Sequence, residues 1–510
     1  MNTNLLYNRE LEDYQKDDSF NFIVKADAIK LFLEYNSIAL EKNKMLVLYG
    51  DWGSGKTSLM KHIESEINKD IYHPIFFHAW EHEKDENLPL SLCDALVNSI
   101  EISNYKEVIK DFMNGAFLTL KSFTSGITLK APGYLTGLGL DLEFSGEKYM
   151  KAIDEGLAES IPVSFYKSNK EFKDNFQKIE ELILKRSGAQ KILIFIDDLD
   201  RCEPENVLNL ITALKLFFTY GEKSVFLCGI DKNAVTKAVK TRYKDVIKSE
   251  EYMEKVFDIA FNMPKTFSLK KILEPHFFDL KKILHDGHTV NSTDVIEDFF
   301  RSIKFTNPRH LKKVLNKYEI LKSFKALSTI PEDFRSLIPN IIENEKTGKV
   351  FETIYCLFII ILYEFNLDEF EEVEDYEQKM IKYTDILRET RTTGSNNYNK
   401  VEAANDLNRF ISFKDIDIAT FNVIKNGSAQ LGGRSYGFSK FLYIFSNSTP
   451  TTLGFIGNDE LFRFAQYFPD NKISTNFCKF LIKYEATIVG ESADSEYIIR
   501  NLFSMVKYLL

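Results

Sequence analysis

The sequence predicts an α/β fold: a parallel sheet core flanked by helices, then a helical lid, then a mostly α-helical C-terminal region. Three observations predict it. A short apolar run, residues 45–49, leads into Gly50-Asp51-Trp52-Gly53-Ser54-Gly55-Lys56-Thr57, and a helical pattern follows over 58–68 with Leu59, Ile63 and Ile67 on one face. A second apolar run, residues 191–196, ends in Asp197 and Asp198. A third, residues 224–230, ends in Asp231 and passes into a helical pattern over 232–243. Apolar strands that end in polar residues and alternate with helices describe a sheet buried on both faces.

The first of these elements carries a chemistry. Gly, four residues, Gly-Lys and then Ser or Thr is the pattern of a phosphate-binding loop. Glycines let the backbone curl so that several N–H groups point at one place. In this reading residues 50–58, Gly50 through Thr57 and Ser58, hold the phosphates. Lys56 reaches the β- and γ-phosphates, and the Thr57 hydroxyl holds Mg²⁺. The helix that begins there adds the positive end of its dipole. A flexible glycine-rich turn is the plain alternative, and the flanking strand and helix argue against it.

The second element adds carboxylates. Asp197 would join the Mg²⁺ shell, and Asp198 stands where a base could orient an attacking water. Asp200 and Arg201 continue the cluster. At the third strand tip, Asp231 reads either as a sensor of the γ-phosphate or as the N-cap of the next helix, and both can hold. Farther on, Asn307-Pro308-Arg309 opens a helix with Pro308 in its first turn. Arg309 could face a phosphate from a helical lid, since a guanidinium binds phosphate through two hydrogen bonds.

These residues together resemble the KAP family of phosphate-loop NTPases. The resemblance is carried by 50–58, by His78-Ala79-Trp80-Glu81 and by Asp197-Asp198-Leu199-Asp200-Arg201-Cys202. It continues through residues 226–231, the block 252–257 with Pro264 after it, and Asn307-Pro308-Arg309. It covers roughly residues 15–325 in the family's order. It implies an additional-strand P-loop fold related to AAA+ and STAND NTPases, with ATP and Mg²⁺ as ligands and often a homo-oligomer. Many bacterial members look like phage-exclusion or defence proteins. Two departures stand out. Many relatives carry paired membrane spans between the nucleotide motifs, whereas here the insert, about 101–170, has short, interrupted apolar runs and reads as soluble, with a hairpin as one form. His78 stands where the family commonly has Asn, and it is not expected to carry chemistry. A zinc set of His78, Glu81 and His82 is disfavoured, because a strand over 75–80 would put His78 and Glu81 on opposite faces.

The expected organisation is a core over 1–265 with its insert, a lid over 266–325 and a recognition or assembly region over 326–510. Residues 20–24 are a positional guess for the adenine pocket. An amphipathic helix marked by Phe172, Phe176, Ile179, Leu182 and Ile183 leads to the acidic strand. The C-terminal region holds an acidic run over 368–377 and two loops, 392–397 and 426–437. It has no His/Cys metal cluster, no nuclease carboxylate set and no Gly-x-Ser-x-Gly.

Composition bounds the rest. The chain has 510 residues, a formal net charge of −10, and 44% hydrophobic residues. The charge argues against coating by nucleic acid or anionic membrane as the main task. The five cysteines are far apart and suit a reducing cytoplasm. The first 18 residues lack a signal-peptide core, and residues 353–363 are too short an apolar run to span a bilayer, so no membrane partner is expected. Three functions compete. One is an ATP-driven oligomerising switch whose C-terminal region senses a trigger or recruits an effector protein encoded nearby. Another is a motor remodelling DNA or protein. The third is a fold that binds ATP with little turnover, against which the intact Lys56, Thr57, Asp197 and Asp198 speak. Nucleic acid as a partner rests on Lys232, Lys237, Lys240, Arg242, Lys244, Lys248, Lys312, Lys313 and Lys317, and the net charge does not favour it. Arg201 and Arg242 are candidates to complete a neighbouring subunit's site.

Overall fold

A computed structural model describes residues 5–6, 18–85, 87–100, 105–121, 161–243, 249–265, 267–277, 283–285, 288–324, 329–330, 332, 350–371, 373–374, 473–484 and 495–510. The loops expected at 392–397 and 426–437 lie outside the described residues, as do Lys244 and Lys248 and most of the insert. The chain divides into two compact units, Glu10–Phe267 and Ser268–Leu510, the latter joined by Met1–Arg9.

The first unit is built on a five-stranded sheet in the order β2-β3-β4-β1-β5. Its strands are β1 (Met45–Tyr49), β2 (Tyr72–His78), β3 (Lys191–Asp197), β4 (Ser224–Ile230) and β5 (Ile259–Asn262), all paired in parallel. The inner strands are buried along their length, as their uninterrupted apolar runs require. β4 therefore separates the phosphate-loop strand β1 from the acidic strand β3, the additional-strand arrangement expected of the sequence. All five carboxyl ends lie on one edge, where a parallel sheet places its ligand.

Helices α1 (Ile23–Tyr35), α2 (Lys56–Glu66), α3 (Leu88–Asn98), α4 (Lys106–Lys121), α5 (Ile161–Ser187), α6 (Pro204–Leu216), α7 (Lys232–Tyr243) and α8 (Ser249–Val256) belong to this unit. α1 packs on α2, α4 on α5, and α6 on α7. The amphipathic pattern in α5 is realised: Phe172, Phe176, Ile179 and Ile183 are buried, with Phe172 and Phe176 stacked on Phe112 of α4. The described flank of the insert is thus helical.

One boundary differs from expectation. The strand anticipated over 75–80 is β2, Tyr72–His78, and a 3-10 turn over Ala79–His82 follows. The cause is its neighbour. His78 is in register with Asp197, and at Asp198 the backbone of β3 turns left-handed, with φ 58°, so there is no strand left to pair.

The second unit contains α9 (Lys270–Phe277), the antiparallel pair β6 (Ile283–His285) and β7 (His288–Val290), α10 (Ser292–Ser302), α11 (Pro308–Phe324), α12 (Val350–Phe365), α13 (Ile473–Lys483) and α14 (Ser495–Leu509). α12 contains the apolar run at 353–363 and is buried against α10, α11 and α14. Helices from the expected lid and from the expected C-terminal region therefore share one unit. No helix among the described residues is long and apolar enough to cross a membrane.

A buried polar pair ties α9 to α11. His276 Nδ1 and Glu319 Oε1 are 2.9 Å apart, with side chains 0% and 7% exposed. Burial pushes the Glu319 carboxyl up, but the hydrogen bond to His276 and the charge of Lys322 outweigh it, and the net shift is downward. The stability such a lowered carboxyl contributes is present above the ordinary glutamate range and lost as pH falls through its lowered value. Glu319→Gln is expected to destabilise the fold by about 3 kcal/mol near neutrality. It should also flatten the acid limb of a pH series of thermal melts. An unchanged acid limb would remove this pair as the cause.

Candidate active site

The phosphate loop sits between β1 and α2. Gly50 N–H donates to Ile230 O at 3.1 Å, which fixes the start of the loop to the tip of β4. Gly53 and Gly55 have φ of 78° and 96°, the left-handed region that glycine enters without strain. A Cβ on Gly55 would also lie 2.8 Å from the Phe22 ring. Phe22 stacks on Phe20, and both meet Phe267 edge-on. Of the segment expected near an adenine, Phe20 and Phe22 are buried and Val24 is exposed.

Lys56 opens α2 and is buried. Its Nζ donates to Gly50 O at 3.0 Å and Asp51 O at 3.3 Å, and pairs with Asp200 Oδ2 at 3.4 Å. The partner is a result the sequence did not indicate. Asp200 lies in a 3-10 turn after β3, and only the fold brings that turn to the loop. Thr57 and Ser58 follow in the first turn, half-buried, while Asp51 and Trp52 are exposed. Ser54 Oγ is buried with no hydrogen-bond partner.

At the tip of β3, Asp197 is 1% exposed and its Oδ2 is buried without a partner. Asp198 accepts from Arg201 Nη2 at 2.9 Å, and the Arg201 guanidinium lies 5.2 Å from the centre of the Trp80 ring. Burial raises the Asp198 carboxyl above the ordinary aspartate range, Asp197 raises it further, and Arg201 pulls it down. Arg201, a candidate for reaching a neighbouring subunit, is engaged inside its own chain. The Arg242 side chain lies outside the described residues.

Asp231 does two things. Its Oδ1 accepts from Asn233 N–H at 2.8 Å, which caps α7, and its Oδ2 accepts from Trp52 N–H at 3.2 Å, which ties the cap to the phosphate loop. Arg309 belongs to the second unit. It follows Pro308 at the start of α11, where Asn307 Oδ1 accepts from Arg309 N–H at 3.0 Å and His310 N–H at 3.3 Å. Of the basic positions weighed for nucleic acid, Lys313 and Lys317 both pair with Glu364, whereas Lys232, Lys237 and Lys240 are exposed on α7.

The donor set fits a phosphate chain with a hard cation. An orphaned hydroxyl sits in the loop, an ammonium sits at its end, and an orphaned carboxylate oxygen sits at the tip of the acidic strand β3, beyond β4. From the sequence, His78 was not expected to carry chemistry. It, Asp197 and Asp198 each offer a ligand atom within 4.8 Å of the others. The signal was the block at 78–81, whose meaning depends on β2 lying beside β3.

The model of the KAP family P-loop domain matches residues 29–324. Two uncharacterized proteins of Methanocaldococcus jannaschii are similar to the chain. One is 42% identical over 134 residues, which are 25% of this chain and 50% of the relative. The other is 31% identical over 181 residues, 31% of this chain and 90% of the relative. The chain thus spans half the length of one relative and most of the other. A solved structure of the Aeropyrum pernix ORC2 protein aligns over 95% of this chain and 97% of its own, at 9% identity and a TM-score of 0.28, too low to carry an argument.

Proposed function

The chain belongs to the KAP family of P-loop domains, and from that premise we propose that it binds ATP with Mg²⁺ at residues 50–58, hydrolyses it, and uses the nucleotide state to switch its own assembly. The observation that carries this reading is the convergence on one sheet edge of the Lys56 ammonium with the carboxylates of Asp197, Asp198 and Asp200. Lys56 would exchange Asp200 for phosphate oxygens, and the loop N–H groups would surround the phosphates. Thr57 and Asp197 would hold Mg²⁺, which when bound neutralises phosphate charge. Asp198 would orient the attacking water. Asp231 would report the γ-phosphate through the Trp52 N–H it already holds. Arg309 would respond to the same phosphate from a lid over 266–325. Of the two candidate arginines, Arg242 would serve a neighbouring subunit in a homo-oligomer, since Arg201 is held by Asp198 of its own chain.

The region over 326–510 would then sense a trigger or recruit an effector, in the manner of a cytoplasmic anti-phage defence protein. A motor remodelling DNA or protein is the rival, and the pairing of Lys313 and Lys317 with Glu364 weakens it. The test is phosphate release by the purified chain with and without DNA, beside sedimentation with and without ATP. Slow release indifferent to DNA, with a larger species in ATP, is expected. Release that rises steeply with DNA and falls with salt would replace the switch by the motor.

A further inference from the structure

We propose that His78, Asp197 and Asp198 form a divalent-metal site belonging to the protein itself, one imidazole and two carboxylates, that takes a first-row transition cation such as Mn²⁺ before any nucleotide arrives. The proposal rests on the nucleotide site above, because Asp197 is common to both.

The strands supply the juxtaposition. β2 and β3 are parallel neighbours with His78 in register with Asp197, so both residues end their strands at the same level and point to the same face. Asp198 would continue away from that corner, but its left-handed backbone, φ 58° and ψ 23°, returns it. A non-glycine residue there costs roughly 1 kcal/mol, and strain of this kind concentrates where a side chain must be aimed. The outcome is one ligand atom from each residue within 4.8 Å of the others. A cation with bonds of about 2.1 Å spans donor pairs up to about 4.2 Å apart, so the set closes with small side-chain rotations.

The charges point the same way. Lys56 is paired with Asp200, and Arg201 with Asp198, which leaves Asp197 with no ion pair among the described residues. Asp197 is 1% exposed and its Oδ2 has no hydrogen-bond partner. A buried carboxylate oxygen left so is costly unless a cation completes it. The ligand types choose the cation. Mg²⁺ prefers an all-oxygen shell; two carboxylates suit Mn²⁺, and the added imidazole is a ligand that first-row transition ions accept more readily than Mg²⁺. A carboxamide at this position would offer only an oxygen or a weak donor and would carry no such preference.

The test titrates Mn²⁺ into the nucleotide-free full chain and follows the electron-paramagnetic-resonance signal of the free ion, with pulsed spectra read for coupling to ¹⁴N. One Mn²⁺ per chain with ¹⁴N coupling is expected. His78→Asn should weaken Mn²⁺ by about tenfold or more and abolish the coupling, whereas Mg²⁺ competition should change little. Mn²⁺ that binds only with nucleotide, or wild-type spectra without ¹⁴N coupling, would overturn the proposal whatever the variant's fold. A fluorescent ATP analogue titrated in Mg²⁺ reads the phosphate loop separately. Its failure to bind wild type would count against the nucleotide reading, and retained binding with no metal-nitrogen coupling would count against the metal site alone.

Discussion

Lys56→Ala is expected to weaken ATP binding by about 100-fold or more, because the phosphates lose their main cation and two charge-assisted contacts. The geometry adds a second expectation. Lys56 holds the loop by donating to the carbonyls of Gly50 and Asp51, and it is the ion partner of Asp200, whose side chain is 5% exposed. Alanine would leave that carboxylate buried without a cation, which is costly by itself. The variant should therefore melt lower even without nucleotide. Pairing it with Asp200→Asn separates the effects. The double variant should regain stability, since no buried charge is left alone, and still fail to bind ATP. Titration of a fluorescent ATP analogue and thermal melts of the three proteins check this. Normal binding by Lys56→Ala would remove the phosphate loop as the nucleotide site.

The parts of this site that were legible in the sequence are those that depend on neighbours along the chain. The phosphate loop, with strand before and helix after, is a local pattern. So is the run of apolar residues ending in Asp197 and Asp198, because burial on both faces leaves no polar positions within the strand. Strand order followed from the resemblance to a family, and the sheet has it. What depends on adjacency across the fold was not legible. Nothing near Lys56 in sequence announces Asp200, 144 residues away. The zinc set with His78 was disfavoured by strand alternation, which compares His78 with Glu81 along one segment and cannot see Asp197 on the next strand. The end of β2 was misjudged for the same reason, since it is set by where β3 turns away. Lys313 and Lys317 read as a basic patch until α12 brought Glu364 to them.

Asp198→Asn is expected to keep ATP binding and slow hydrolysis by about 100-fold or more, the size of a lost water-orienting base. The argument turns on what Asp198 does before the reaction. Its carboxyl is raised by burial and by Asp197, yet it is held by Arg201 at 2.9 Å. That hold is a restraint that binding must loosen. Arg201→Ala should therefore not mimic Asp198→Asn, and its turnover should stay within about tenfold of wild type. Asp200 is the competing carboxylate, because it already touches the cation that would meet the γ-phosphate. Single-turnover phosphate release from Asp198→Asn and Asp200→Asn, each saturated with ATP, decides between them. Loss of the chemical step in Asp198→Asn with only weakened or altered binding in Asp200→Asn assigns the base to Asp198. The reverse pattern would move it to Asp200.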